Sequence, residues 1–167
     1  MTKVSHIIFL LFAAVLLGAV PLASAEAAQV TIQANANVVK ALTFSSKQDL
    51  DFGTIMPAAT GTTTVSISMA GAITCPAAAT CTGVARPAIF NLQGTNKGVI
   101  QLIAAQSNLV NSANGSTIRF TPTAPATITL TNSGQPGNDF NVGGSIAIPS
   151  TADGTYIGNI EITADYQ

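Results

Sequence analysis

Gln29 to Val39 reads QVTIQANANVV. In an extended chain Val30, Ile32, Ala34, Ala36 and Val38 fall on one face, and Thr31, Gln33, Asn35 and Asn37 on the other. Alternation of period 2 over about nine residues predicts a half-buried β-strand. Such a strand near a free terminus can pair with its own sheet or with that of a neighbouring molecule. The chain after it repeats the theme in shorter pieces. No stretch beyond the N-terminal leader shows helical spacing with caps, and many short apolar runs are cut by turn residues. The expected fold is all-β, a β-sandwich with an alternating N-terminal strand.

Upstream of this stretch, Lys3 precedes an apolar run from Ile7 to Val20, IIFLLFAAVLLGAV. Pro21 breaks the run, and Ala23-Ser24-Ala25 supplies an A-x-A cleavage site. This is the pattern of a secretory signal peptide, and the run is short for the ~20 residues of a membrane-spanning helix. Ala25-Glu26-Ala27 offers a second cut, so the mature chain starts at Glu26 or Ala28. The domains expected are 1–25 signal peptide, 26–39 alternating strand and 40–167 sandwich. No membrane insertion is expected after cleavage, and the chain is expected to be exported.

Of 167 residues, 8% are charged, 5% aromatic and none is Trp, while 47% are apolar. The apolar share can supply a core, and the surface is left to Thr, Ser, Asn, Gln, Gly and Ala. For a mature chain starting at Glu26, Lys3 is lost and five basic side chains stand against seven acidic ones, a net charge of −2. Lys40, Lys47, Arg86, Lys97 and Arg119 are scattered, so no cationic patch favours nucleic acid or an anionic membrane surface.

Downstream, Ala41 to Phe44, Leu50 to Ile55 and Thr62 to Met69 read as strands, the first closed by polar residues 45–49. Ala88 to Leu92 and Gly98 to Ile103 are two more, with Gln93-Gly94-Thr95-Asn96-Lys97 placed to close a hairpin between them. Asn114-Gly115 reads as a two-residue type I′ turn joining Leu109-Val110 to Thr117–Thr121, in preference to the glycosylation sequon that Asn114-Gly115-Ser116 also spells. Ala126 to Thr131, Phe140 to Ile148 and Thr155 to Tyr166 finish the chain. In the last of these Tyr156, Gly158, Ile160, Ile162, Ala164 and Tyr166 share one face.

Cys75 and Cys81 are the only cysteines. An even count in an exported chain points to a disulfide; the spacing is not the redox C-x-x-C, and two thiols alone cannot complete a zinc site. The sole histidine, His6, lies in the leader, so a histidine-based nucleophile has no base in the mature chain. Asp49 with Asp51, and Asp153, Glu161 and Asp165, read as solvated or turn carboxylates rather than acid pairs. No catalytic residue, metal or cofactor is expected, and the chain is read as a non-enzyme.

Two motifs, LDFGTI at Leu50–Ile55 and DGTYIGNIEITADYQ at Asp153–Gln167, resemble a family of small exported bacterial proteins of unknown function. That family is similar in turn to the spore coat protein U-type pilins of the archaic chaperone–usher class. Those pilins share an alternating N-terminal extension, an L-x-FG motif soon after it and a closing G-x-Y strand. They commonly carry a cysteine in the strand after the extension; Val39 to Thr43 has none, and the bridge here is local. The resemblance implies an exported protein, in the periplasm in transit and then at the cell surface, with an incomplete immunoglobulin-like (pilin-like) sandwich lacking one strand. A periplasmic chaperone lends that strand, and an outer-membrane usher then lets each extension fill the next subunit's groove. Val30, Ile32, Ala34, Ala36 and Val38 would then be donor side chains, and Tyr156, Ile160, Ile162 and Tyr166 the terminal-strand edge of the groove. The function this implies is that of a structural subunit of a bacterial surface pilus or fibre, its partners being copies of itself, the chaperone and the usher. The alternative is a self-contained monomeric β-sandwich, its first strand in its own sheet, binding a glycan or surface protein.

Overall fold

The computed structural model describes residues 27–167. The signal peptide read over 1–25, and Glu26, lie outside the described residues. Asn37–Gln167 form one compact unit. Among the described residues there is no helix. The strands are β1 (Thr43–Gln48), β2 (Thr54–Met56), β3 (Thr62–Ile67), β4 (Ile73–Thr74), β5 (Thr80–Thr82), β6 (Ala88–Gln93) and β7 (Val99–Ala104). They continue as β8 (Ser107–Asn111), β9 (Thr117–Thr123), β10 (Thr127–Thr129), β11 (Asn138–Pro149), β12 (Tyr156–Ile157) and β13 (Ile162–Tyr166). Every ladder is antiparallel. The protein is all-β, with several antiparallel sheets in a sandwich-like arrangement.

The largest sheet runs β1-β6-β11-β9-β8-β12, with β3 and β4 joined to it through β11; β10-β7-β13 form a second sheet and β2-β5 a ribbon. β11 organises the body because its two halves have different neighbours. Asn138–Val142 pair with β6, while the part beyond Gly143 pairs with β9 and β3 together. Its even-numbered residues keep to the interior, as period 2 requires. Phe140 and Val142 enter one apolar cluster with Ala88, Phe90, Leu92, Ile100, Leu102 and Leu130. Ile146 and Ile148 enter another with Val65, Ile118 and Phe120. Each of these larger side chains contributes roughly 1.5–3 kcal/mol by leaving water.

The sequence expectations meet several corrections. The loop 93–97 does not close a hairpin: β6 belongs to the large sheet and β7 to the three-stranded one, so this loop carries the chain across the sandwich. The first body strand is Thr43–Gln48 rather than 41–44, and it runs through the polar residues expected to break it. An edge strand exposed on both faces gives no hydrophobic period to read. Leu50–Ile55 shrinks to β2, preceded by a single bridge from Asp51 to Arg86. β8 and β9 do form the hairpin expected around Asn114-Gly115, but through a longer loop. A type I′ turn needs positive φ at both central residues, and only Gly115 has it, at 73°.

Two further differences concern the ends. The run Thr155–Tyr166 is not one strand: β12 pairs with β8 and β13 with β7, in different sheets. Between them the backbone serves the β7–β8 turn, Ala105 N–H donating to the Glu161 carbonyl at 3.0 Å and Ser107 Oγ–H to that of Asn159 at 2.9 Å. The alternating stretch 29–39 belongs to no strand. Val30, Ile32 and Val38 are 87%, 85% and 87% exposed, and Ala34 and Ala36 are exposed too. Alternation supplies a face to bury, but a strand forms only where an edge pairs with it.

Candidate functional site

β1 and β13 end their respective sheets, and neither pairs with the other. Both nevertheless lay side chains on the same apolar cluster. Leu42, just before β1, packs against it, as do Ile162, Ala164 and Tyr166 of β13. Phe44 of β1 stacks on two members of the cluster, with ring centroids 5.2 Å from Phe90 and 5.9 Å from Phe140. Phe90 and Phe140 stack on each other at 5.7 Å. Such pairs add about 0.5–1.5 kcal/mol each beyond burial. Yet Phe44 stays 37% exposed, and β1 buries no residue fully. The cluster itself is buried, but two edge strands with a free side, β1 and β13, border it, and a free edge is where another strand can add.

The start of the body is fastened at this end of the sandwich. Tyr166 Oη donates to the Lys40 carbonyl at 2.6 Å and accepts from the Thr95 N–H at 2.6 Å. The Lys40 N–H donates to Thr95 Oγ1, also at 2.6 Å, and the Lys40 ammonium reaches the Ser133 carbonyl. Gly94 makes room for this tie. A Cβ there would lie 2.4 Å from Tyr166 Oη and 2.7 Å from Leu42 Cδ2. The last strand, the 94–97 loop and the first residue of the body are thereby held as one unit.

The other site residues expected from the sequence are dispersed. Tyr156 lies in β12 against the second cluster, its hydroxyl 2.8 Å from Ser116 Oγ. Ile160 sits between strands and packs against both clusters. Only Ile162 and Tyr166 of the four share a strand, while all four keep the half-buried parity of one face. Cys75 and Cys81 are disulfide-bonded, with Cα atoms 6.2 Å apart.

Asp51 caps the Gly53 N–H at 2.8 Å, which is turn chemistry. Asp139 receives the Lys47 ammonium on both carboxylate oxygens, at 2.7 and 2.8 Å, and the amide of buried Asn91 on one of them. Lys47 first, and Asn91 second, hold its carboxyl below the ordinary value of 3.8. This pair ties β1 to β11. Among the described residues no group of three or more His, Cys, Asp or Glu side chains gathers as a metal site would require.

Sequence reasoning missed the Phe44 stack and the Tyr166 tie. Phe44 borders the polar run 45–49, where no period shows which face it takes, and a hydroxyl partner more than a hundred residues away leaves no local mark. The fold and its site define an all-β sandwich with open strand edges over a shared core. The chain belongs to the DUF4402 family, a domain of unknown function, whose match spans residues 42–166. No curated protein and no solved structure matches it.

Proposed function

We propose that this protein is a non-enzymatic structural subunit of a bacterial surface pilus or fibre, polymerised by exchange of its N-terminal stretch between copies. One observation carries the reading. An alternating apolar stretch, 30–38, is exposed and in no strand, in a chain whose sandwich has two edge strands, β1 and β13, bordering the same apolar cluster. Strand addition would bury Val30, Ile32 and Val38, with main-chain hydrogen bonds for strength and alternate pockets for register. The resemblance of the motifs at Leu50–Ile55 and Asp153–Gln167 to spore coat protein U-type pilins, a reading of the sequence alone, motivates the same proposal. In it the protein is exported, held by a periplasmic chaperone, and handed to an outer-membrane usher. The Cys75–Cys81 bridge fits an oxidising compartment. The head-to-tail contact makes an open filament rather than a closed ring.

The test is gel electrophoresis of surface-extracted protein in detergent, unheated against boiled. A ladder of multimers that collapses on boiling is expected. A monomer band in both lanes, with a single monomer peak on a sizing column, would sink the reading in favour of a self-contained sandwich that binds a glycan or surface protein.

A further inference from the structure

The fastening of Lys40 has a consequence for how two copies meet, given the strand-exchange reading above. The donor stretch ends at Val38, and Tyr166 and Thr95 hold Lys40. Only Val39 lies between. An extended chain covers at most about 3.3–3.6 Å per residue, so the Val38 and Lys40 Cα atoms can stand no more than about 7 Å apart. That leaves no tether. Whichever copy takes up Val38 must touch the end of the sandwich where Lys40 is held. This end carries an open depression of about 420 Å³ lined by Val39, Thr95, Asn96, Lys97, Val99 and Tyr166, among others.

The end of the second copy that meets it follows from strand direction. β13 runs from Ile162 to Tyr166, and the Tyr166 end is the fastened one. A donor parallel to β13 would bring its own Lys40 to the acceptor's Tyr166 end, where the acceptor's extension also departs. Both junctions of that copy would crowd onto one end and leave the other bare. A donor antiparallel to β13, as β7 already is on that strand's other side, uses one end for each junction and propagates as an open filament. Its Lys40 then arrives at the Ile162 end. There the exposed β7–β8 turn, Ala105-Gln106, is bound to the 159–161 segment through the Glu161 and Asn159 carbonyls.

We propose that the Thr95–Gly98 and Tyr166 end of one copy seats directly on the Ala105-Gln106 and Asn159–Glu161 end of the next, covering the depression. The occupant of this surface is a second copy of the chain, and the junction is a rigid contact rather than a flexible link.

Exposed Asn96 and Glu161 mark the two ends. On intact cells, a bifunctional maleimide should give a boiling-resistant ladder with the Asn96→Cys/Glu161→Cys double variant and with neither single variant. Placing Gly-Ser-Gly-Ser after Val39 should keep the heat-sensitive ladder and lower the covalent yield. A double variant that polymerises but does not cross-link overturns the contact. So does dimer formation by Asn96→Cys alone, which would mean that the two fastened ends meet. Undiminished cross-linking after the insertion also overturns it, since the contact would not depend on the short link. A wild-type chain with no heat-sensitive ladder overturns strand exchange itself, and the contact falls with it.

Discussion

Removing the Tyr166 hydroxyl alone tests the tie at the start of the body. In Tyr166→Phe the ring keeps its packing, but the Thr95 N–H loses its acceptor and the Lys40 carbonyl its donor. Two hydrogen bonds, one with a part-buried donor, are worth about 1–3 kcal/mol together. The urea midpoint should fall accordingly, and the Thr95 amide should exchange faster than its neighbours'. Unchanged Thr95 exchange would count against the tie. Asp139 offers a second residue-scale test. Its carboxyl is held below 3.8 by Lys47 and Asn91, so the unfolded chain binds the proton more tightly. The pair's stability is therefore fully present above the ordinary carboxylate value and lost as pH falls through the depressed folded-state value. Asp139→Asn should remove that pair's share of the acid limb, matching wild type at low pH and lying below it at neutral pH by the same amount, which is small for a surface ion pair. An acid limb identical to wild type would show that other carboxylates set it.

Among elements, the sequence was most legible where a strand has one buried face. β3, β6, β7, β9 and β11 alternate or run apolar because they cover the core, and all appear close to their expected positions. It was least legible where partners decide. β6 and β7 look like the arms of a hairpin, yet they part into two sheets, because periodicity reports a face and not a neighbour. β12 and β13 keep one parity through the break between them, so the alternation from Tyr156 to Tyr166 conceals a change of sheet. β1 shows no hydrophobic period, since Phe44 is its one apolar side chain and the rest are polar. The disulfide was legible from count alone. It closes a six-residue separation beside the β2–β5 ribbon, where Cys81 packs against the second cluster. In the chain-entropy model a loop that short stabilises by roughly 2 kcal/mol. The Cys75→Ala/Cys81→Ala pair should lower the unfolding free energy from urea titration by that amount, and wild type in reductant should match it. A much larger loss would mean that Cys81 matters chiefly as a packed side chain.

For the whole molecule, the question is whether the sandwich is complete without residues 27–39. Nothing in β1 to β13 depends on that stretch for backbone pairing, so a chain beginning at Lys40 should keep its fold. The uncovered edge strands and the exposed Phe44 should then make it a receptor for the stretch supplied separately. A synthetic peptide of residues 28–39 should raise the truncated chain's thermal midpoint in a concentration-dependent way. At a hundredfold excess over the dissociation constant, mass action gives about 2.7 kcal/mol. The same peptide with Ile32→Asp should not, because strand addition would force an unpaired carboxylate against apolar groups. Ile32 is almost fully exposed in the single chain, so Ile32→Asp in the full-length protein should leave the monomer's midpoint unchanged while removing the heat-sensitive ladder. These two results separate the readings. A self-contained sandwich, with its first strand in its own sheet, would lose stability on truncation and regain it within one molecule at any dilution. A strand-exchanging subunit keeps its monomer stability and loses only its polymer. A truncated chain indifferent to the peptide would leave the open edges without an occupant of this sequence.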